Sequence, residues 1–238
     1  MIGARRSYGG PGGINPLLLM GLALLAYAFF TGSLFAPVQD PVFFVAFVIA
    51  IVLGITVHEF MHAYVAHRLG DDTARLLGRL SLNPMAHLDP FGTLLLVLAG
   101  FGYGKPVPFN EARLRSSLGV TAVSLAGPLA NFGLAALFAI PLRFGSATVL
   151  GDIYVTVLIY IVRMNCILGI FNLIPIPPLD GSNIVYGLLP ARQQYSWRTF
   201  QQYGPFLLLG LLLLAPRILT ALVFGPAISL TVFLTGLR

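Results

Sequence analysis

His58, Glu59 and His62 fall within five residues in the pattern H-E-x-x-H, at the end of an apolar run that includes FFVAFVIAIVL. On a helix, at about 100° per residue, the two histidines lie about 40° apart on one face, with Glu59 beside them. Two imidazoles in that relation can bind a metal ion while the carboxylate takes a proton from a metal-bound water, which is the arrangement of zinc hydrolases. His67 points roughly opposite. The plainer alternative is that these polar groups only join helices in a bundle. Ionisable side chains are rare and costly within a membrane span, so three on adjacent helical positions favour a site.

A catalytic zinc takes three protein ligands and leaves one position open. A metzincin continuation would place the third histidine at position 68, which is Arg68. Apart from Glu59 the chain has one glutamate, Glu111, in the charged stretch NEARLRSS. Asp71 and Asp72 follow a helix end and read as solvated loop charges, and Asp152 lies at the far mouth of a later span. Asp89 precedes Pro90 and suggests turn chemistry. Asp180 remains. It sits in FNLIPIPPLDGSN, where prolines end the fourth span and Gly181 lets the backbone bend. Asn165, Gly169 and Asn172 share a helical face of that span. Asn172 is open to two readings, a hydrogen bond to a substrate carbonyl or its oxyanion, or helix packing. Arg163, near mid-span, can pair with a carboxylate or snorkel.

The surrounding elements must hold these groups in a membrane. Hydrophobic residues make up 57% of the 238 and charged residues 9%, with mean hydropathy +0.88, which excludes an ordinary soluble domain. The net charge of +6 is scattered through short loops rather than gathered in a stripe, so it reads as topology and not as nucleic-acid binding. The one cysteine, Cys166, excludes an intrachain disulfide and reads as a small buried hydrophobe.

Apolar stretches near the roughly 20 residues a spanning helix needs occur at Pro16 to Phe35, Val42 to Leu69, Ser117 to Leu142, Ile153 to Ile174, Gln201 to Pro216 and Ile218 to Gly236. The fifth is short. The apolar run after Arg5 and Arg6 has no clear cleavage site and reads as a retained span. The segment FGTLLLVLAGFGYGKPVPFN, residues 91 to 110, is too short to cross before its glycines and prolines and predicts a re-entrant hairpin covered by protein or facing a cavity. The expected fold is an all-α polytopic membrane protein of about six transmembrane helices, with a re-entrant or β-hairpin segment between the second and third. Residues 1–15 form a cytoplasmic N-terminus, 16–40 hold the first span, 41–190 the catalytic core and 191–238 the C-terminal spans. Lys and Arg placement puts both termini and the active site on the cytoplasmic side, and the expected location is a prokaryotic cytoplasmic membrane. The lack of internal repeats weakens a transporter reading.

HEFMH in a membrane helix, then SLNPMAHLDPFGT, GYGKPVPFN, AGPLANF and NLIPIPPLDG in this order, resemble the site-2 protease family of intramembrane zinc metalloproteases over roughly residues 45 to 190. The resemblance implies that His58, His62 and Asp180 bind zinc, that Glu59 is the general base and that Asn172 lies at the active site. It also implies cleavage of single-span transmembrane substrates within the bilayer. Many relatives carry a PDZ or CBS domain, for which this chain has no room, so a minimal-core member is expected. The oligomeric state stays open. Rival readings are hydrolysis of a lipid or prenylated peptide at the same metal site, transport of metal ions through His and Asp ligands, and a non-catalytic scaffold.

Overall fold

The computed structural model describes residues 16–30, 40–90, 92–94, 104–145 and 151–237. Helix α1 spans Pro16–Phe30, α2 Pro41–Arg68, α3 Gly119–Phe144, α4 Asp152–Asn172, α5 Asp180–Leu188, α6 Ala191–Gln201 and α7 Gly204–Leu214. The last helical stretch, α8, runs over Pro216–Thr235 with a wider π turn at Thr220–Phe224. There is no strand among the described residues, only an isolated antiparallel bridge between Leu88 and Gly104. Residues 1–15 and most of the re-entrant segment expected between the second and third spans lie outside the described residues.

Helix α2 begins where Asp40 Oδ1 accepts the amides of Val42 and Phe43 at 2.9 and 3.2 Å, with Pro41 in the first turn, where its missing N–H costs nothing. Its buried side includes Ala46, Ala50, Gly54, His58, His62 and Ala66, one residue in four. Residues at that spacing form a ridge along a helix, and small ones let neighbouring backbones approach. Gly54 uses this: a Cβ there would lie 2.8 Å from Leu168 Cδ1 and 3.1 Å from Asn165 Oδ1 of α4. Gly169 of α4 faces the ring of Phe132 of α3 at similarly close range. Three helices packed this closely set the histidines of α2 against polar groups of α3. Lower down α3 and α4, Ala135, Ala139, Leu142, Leu158, Val162 and Cys166 form an apolar core with Ala227 of α8. Cys166 is buried, as expected.

Among the described residues, four helices are long and apolar enough to cross a membrane: α2, α3, α4 and α8. The fifth expected span is an 11-residue helix, α7, about 17 Å long at 1.5 Å per residue, against a hydrocarbon core of about 30 Å. Its Leu208 packs with Leu24 of α1 and with Leu179. At the other end of the bundle the Arg143 guanidinium, near the end of α3, donates to the carbonyls of Phe233 and Leu234. The end of α8 therefore shares a bundle end with the end of α3. That differs from the six-span expectation, in which the last helix returns to the side of the first residues. The physical reason is that leucine content makes α7 lipophilic without making it long enough to cross.

Candidate metal centre

Three side chains meet where α2, α3 and the start of α5 come together. His58 Nε2 lies 3.0 Å from His62 Nε2 and 3.0 Å from Asp180 Oδ2, and His62 Nε2 lies 3.2 Å from the same oxygen. One ligand atom from each falls within 4.8 Å of the others, and both histidines are buried. The rings stand edge to face, 87° between planes, so their Nε2 lone pairs converge on one volume. Asp180 Oδ2 is buried and has no hydrogen-bond partner. A buried carboxylate oxygen left in that state is strongly unfavourable, and a cation between it and the two imidazoles relieves it. Two nitrogens and one carboxylate oxygen are also a donor set that suits zinc. The residues present therefore fit a metal ion.

The orientation of each ligand has a cause in the fold. His58 Nδ1 lies 2.6 Å from Asn131 Oδ1, and His62 Nδ1 lies 2.7 Å from the carbonyl oxygen of Val123. Both partners are acceptors, so each Nδ1 carries the proton and each Nε2 is free to bind metal. Asn131 is held in turn, its amide donating to the Gly54 carbonyl at 3.2 Å and to Asn165 Oδ1 at 2.9 Å. Asn165 donates to the carbonyl of Ile161 at 2.8 Å. The chain from His58 to Ile161 ties α2, α3 and α4 into one support for a ring orientation. Gly127 completes the space: a Cβ there would lie 2.6 Å from His58 Cε1 and closer still to His62 Nε2.

Asp180 is the first residue of α5. Gly181 matters through close approach rather than an unusual bend, because a Cβ on it would overlap the carbonyl oxygens of Leu173 and Ile174. Helix α6 fastens α5 from outside: Trp197 Nε1 donates to the Ser182 carbonyl at 3.0 Å, and Gln194 Nε2 to the carbonyls of Leu189 and Tyr186 at 3.0 and 3.3 Å.

Glu59 stands apart from these three ligand atoms. Its Oε2 accepts the amide of Val107 at 3.1 Å, and a Cβ on Gly104 would lie 3.7 Å from its Oε1. Glu59 thus faces residues 104–107, the later part of the segment expected to be re-entrant. Lys105 N donates to the His87 carbonyl at 2.7 Å, which joins residues 104–107 to the stretch before residue 91. The Arg79 guanidinium joins the same two stretches, donating to the carbonyls of Ala86 and Lys105.

The remaining expected site residues separate. Asn172 is half-buried and donates to the carbonyl of Leu168 in its own helix at 3.0 Å; no hydrogen bond joins it to the cluster. Asp89 Oδ1 accepts the amide of Gly92 at 2.9 Å, the turn chemistry expected of it. His67 turns away, to Asp72. The reading of Asp71 as a solvated charge is corrected. It is fully buried and accepts Thr73 N at 3.1 Å, Thr73 Oγ1 at 2.5 Å and Asn110 N at 2.5 Å, so it ties the loop after residue 104 to the end of α2. Asn131, Gly127 and Arg79 had no assigned role in the sequence. A buried asparagine within the apolar segment AGPLANF carried the same signal as the histidines, a costly group in a membrane helix.

The model of peptidase family M50 matches residues 46–148 and 142–215. The chain is 40% identical over 167 residues to YwhC of Bacillus subtilis, named as a candidate zinc metalloprotease, covering 66% of this chain and 75% of that protein. It is 28% identical over 223 residues to Rip2 of Mycolicibacterium smegmatis, named in the same way, covering 86% of this chain and 82% of that protein. A zinc metalloprotease of Methanocaldococcus jannaschii is 26% identical over 157 residues, 66% of this chain and 38% of that protein. No solved structure matches the chain at a significant level. With its apolar helices and this match over most of its length, the chain is an integral membrane protein that belongs to peptidase family M50, the site-2 protease family.

Proposed function

We propose that the protein is a zinc metalloendopeptidase that cuts single-span transmembrane proteins within the bilayer, with His58, His62 and Asp180 as metal ligands. One observation carries the reading: the Nε2 atoms of two histidines on a membrane helix converge on a buried aspartate oxygen that has no hydrogen-bond partner. Zinc bound there supplies a Lewis acid that lowers the pKa of water and polarises a peptide carbonyl. Asn131 and the Val123 carbonyl keep the Nδ1 protons of His58 and His62 in place, so both rings present the other nitrogen. Glu59 is the general base. Its Oε2 is engaged by Val107, and its Oε1 takes the proton from the attacking water and passes it to the leaving amine.

Residues 104–109 lie beside Glu59 and are not helical. An unwound stretch of substrate added along this arm as a strand would bring a peptide bond to the base. The amide of Asn172 has a second hydrogen besides the one given to Leu168, and we assign it to the substrate carbonyl. Residues 41–190 form the catalytic core on this reading. The abundance of Lys and Arg in the loops at the Asp180 end supports placing that end toward the cytoplasm of a prokaryotic inner membrane. Metal transport fits less well, because the three ligands cluster within 4.8 Å instead of following a path.

The test is to purify the wild type and Glu59→Gln in detergent, then measure metal content and cleavage of a panel of single-span substrates. About one zinc per chain in both, with cleavage by the wild type alone, is the expected result. A wild type without metal, or a variant that cuts equally well, overturns the assignment.

A further inference from the structure

Helix α4 is 21 residues long, about 31 Å at 1.5 Å per residue, which matches a hydrocarbon core of about 30 Å. Arg163 stands eleven residues from its first residue and nine from its last, hence near the middle of the bilayer. Its side chain is exposed on the outside of the bundle, and no hydrogen bond or ion pair joins it to any described residue. A charge at that depth normally faces a partner or a water-filled cavity.

The chain itself has no carboxylate to offer. All eight Asp and Glu are among the described residues. Asp40 and Asp152 lie at helix starts, and Asp71, Asp72, Asp89 and Glu111 lie in the loops between α2 and α3. Asp180 belongs to the metal cluster, and Glu59, the one acid inside a span, accepts the amide of Val107. A second copy of the chain therefore lacks a counter-charge at this depth as well. Lipid phosphate is a poor substitute, since the distance from mid-bilayer to the headgroups is about 15 Å, longer than an arginine side chain can snorkel without thinning the membrane.

Thr156, Tyr160 and Arg163 share a face of α4 at spacings of four and three residues. The Tyr160 ring rests on Phe43, with centroids 5.8 Å apart. Neither the tyrosine nor the threonine hydroxyl has a hydrogen bond to a described residue. On this face of α4 Arg163 is exposed, and Thr156 and Tyr160 are half-buried beside it.

We propose that this stripe docks a transmembrane helix of another protein that carries an aspartate or glutamate near mid-bilayer, paired with Arg163 and flanked by Tyr160 and Thr156. The assignment rests on the membrane placement of α4 and not on the metal chemistry, so it survives if the peptidase reading fails.

The experiment uses the full chain in phosphatidylcholine vesicles at pH 8, with fluorescent polyleucine single-span probes carrying Asp, Lys or Leu at the central position. Energy transfer to the labelled protein reports association. The wild type is expected to bind the Asp probe at least tenfold more tightly than the Leu probe, Arg163→Leu to bind both equally, and Arg163→Asp to prefer the Lys probe. Restoration by charge reversal excludes a folding defect as the cause. The proposal is overturned if the wild type does not discriminate, or if Arg163→Leu still does. Should the guanidinium take lipid phosphate instead, the wild type treats the probes alike while enriching spin-labelled phosphatidylglycerol relative to Arg163→Leu, and that result also overturns it.

Discussion

Helix α2 brings histidines to two aspartates, and the two meetings differ in kind. At Asp72, His67 Nδ1 sits 2.6 Å from Oδ1 and Arg75 Nε donates to the same oxygen at 2.8 Å, all in partly exposed surroundings. At Asp180, two Nε2 atoms approach one buried oxygen while both histidines give their Nδ1 protons elsewhere. The first carboxylate meets donors. The second meets two lone pairs, an arrangement that is repulsive without a cation and cohesive with one. Proximity of His and Asp is thus common to both clusters, and the acceptor on the far side of each ring is what separates a metal centre from an ion pair.

Removing the carboxylate tests that contrast most severely. Asp180→Ala takes away one of the three proposed ligands, and purified protein is expected to lose its metal and all cleavage. Metal analysis after dialysis against a chelator checks this. Full retention of metal would mean that the Asp180 cluster is an ion pair like the one at Asp72.

The next effect is smaller and comes from one bond farther out. Asn131→Ala leaves all three ligands but frees the His58 Nδ1 proton from its acceptor. Loss of such an outer partner typically costs about 10–100-fold in metal affinity. Competition with a chromophoric chelator measures it, and an affinity within twofold of wild type would show that the ring is oriented by packing alone.

These two residues also mark how far the sequence could be read. Asp180 was reached by elimination, because a membrane chain with eight acidic residues leaves few ligand candidates. The bounds of α2, α3 and α4 fell within two residues or so of the expected spans, since hydropathy and helix period are local properties. Asn131 was legible only as an oddity. Its partner His58 is 73 positions away, and no periodicity encodes which of several helix faces will meet. Asp71 was misread for the same reason: a pair of aspartates after a helix looks solvated, and only the return of residue 110 to its side buries one of them. Composition likewise made α7 look like a span, although crossing depends on length between Pro205 and Pro216 rather than on leucine content.

The smallest expected effect is at Asp72, and it is the sharpest check on the contrast because the same residue types are involved. Its carboxyl is held below the usual range by the hydrogen bond from Arg75 and then by that from His67. A depressed pKa contributes stability above the unfolded value and loses it as pH falls through the folded one. That contribution is therefore present at neutral pH and lost in acid, and it is small because the pair is exposed and screened. Asp72→Asn should leave metal content and cleavage at wild-type levels and slightly flatten the acid side of a melting-temperature profile. If instead it lowered metal occupancy as Asp180→Ala does, the two clusters would be coupled through α2, and the orientation of the His58 and His62 rings could no longer be assigned to Asn131 and Val123 alone.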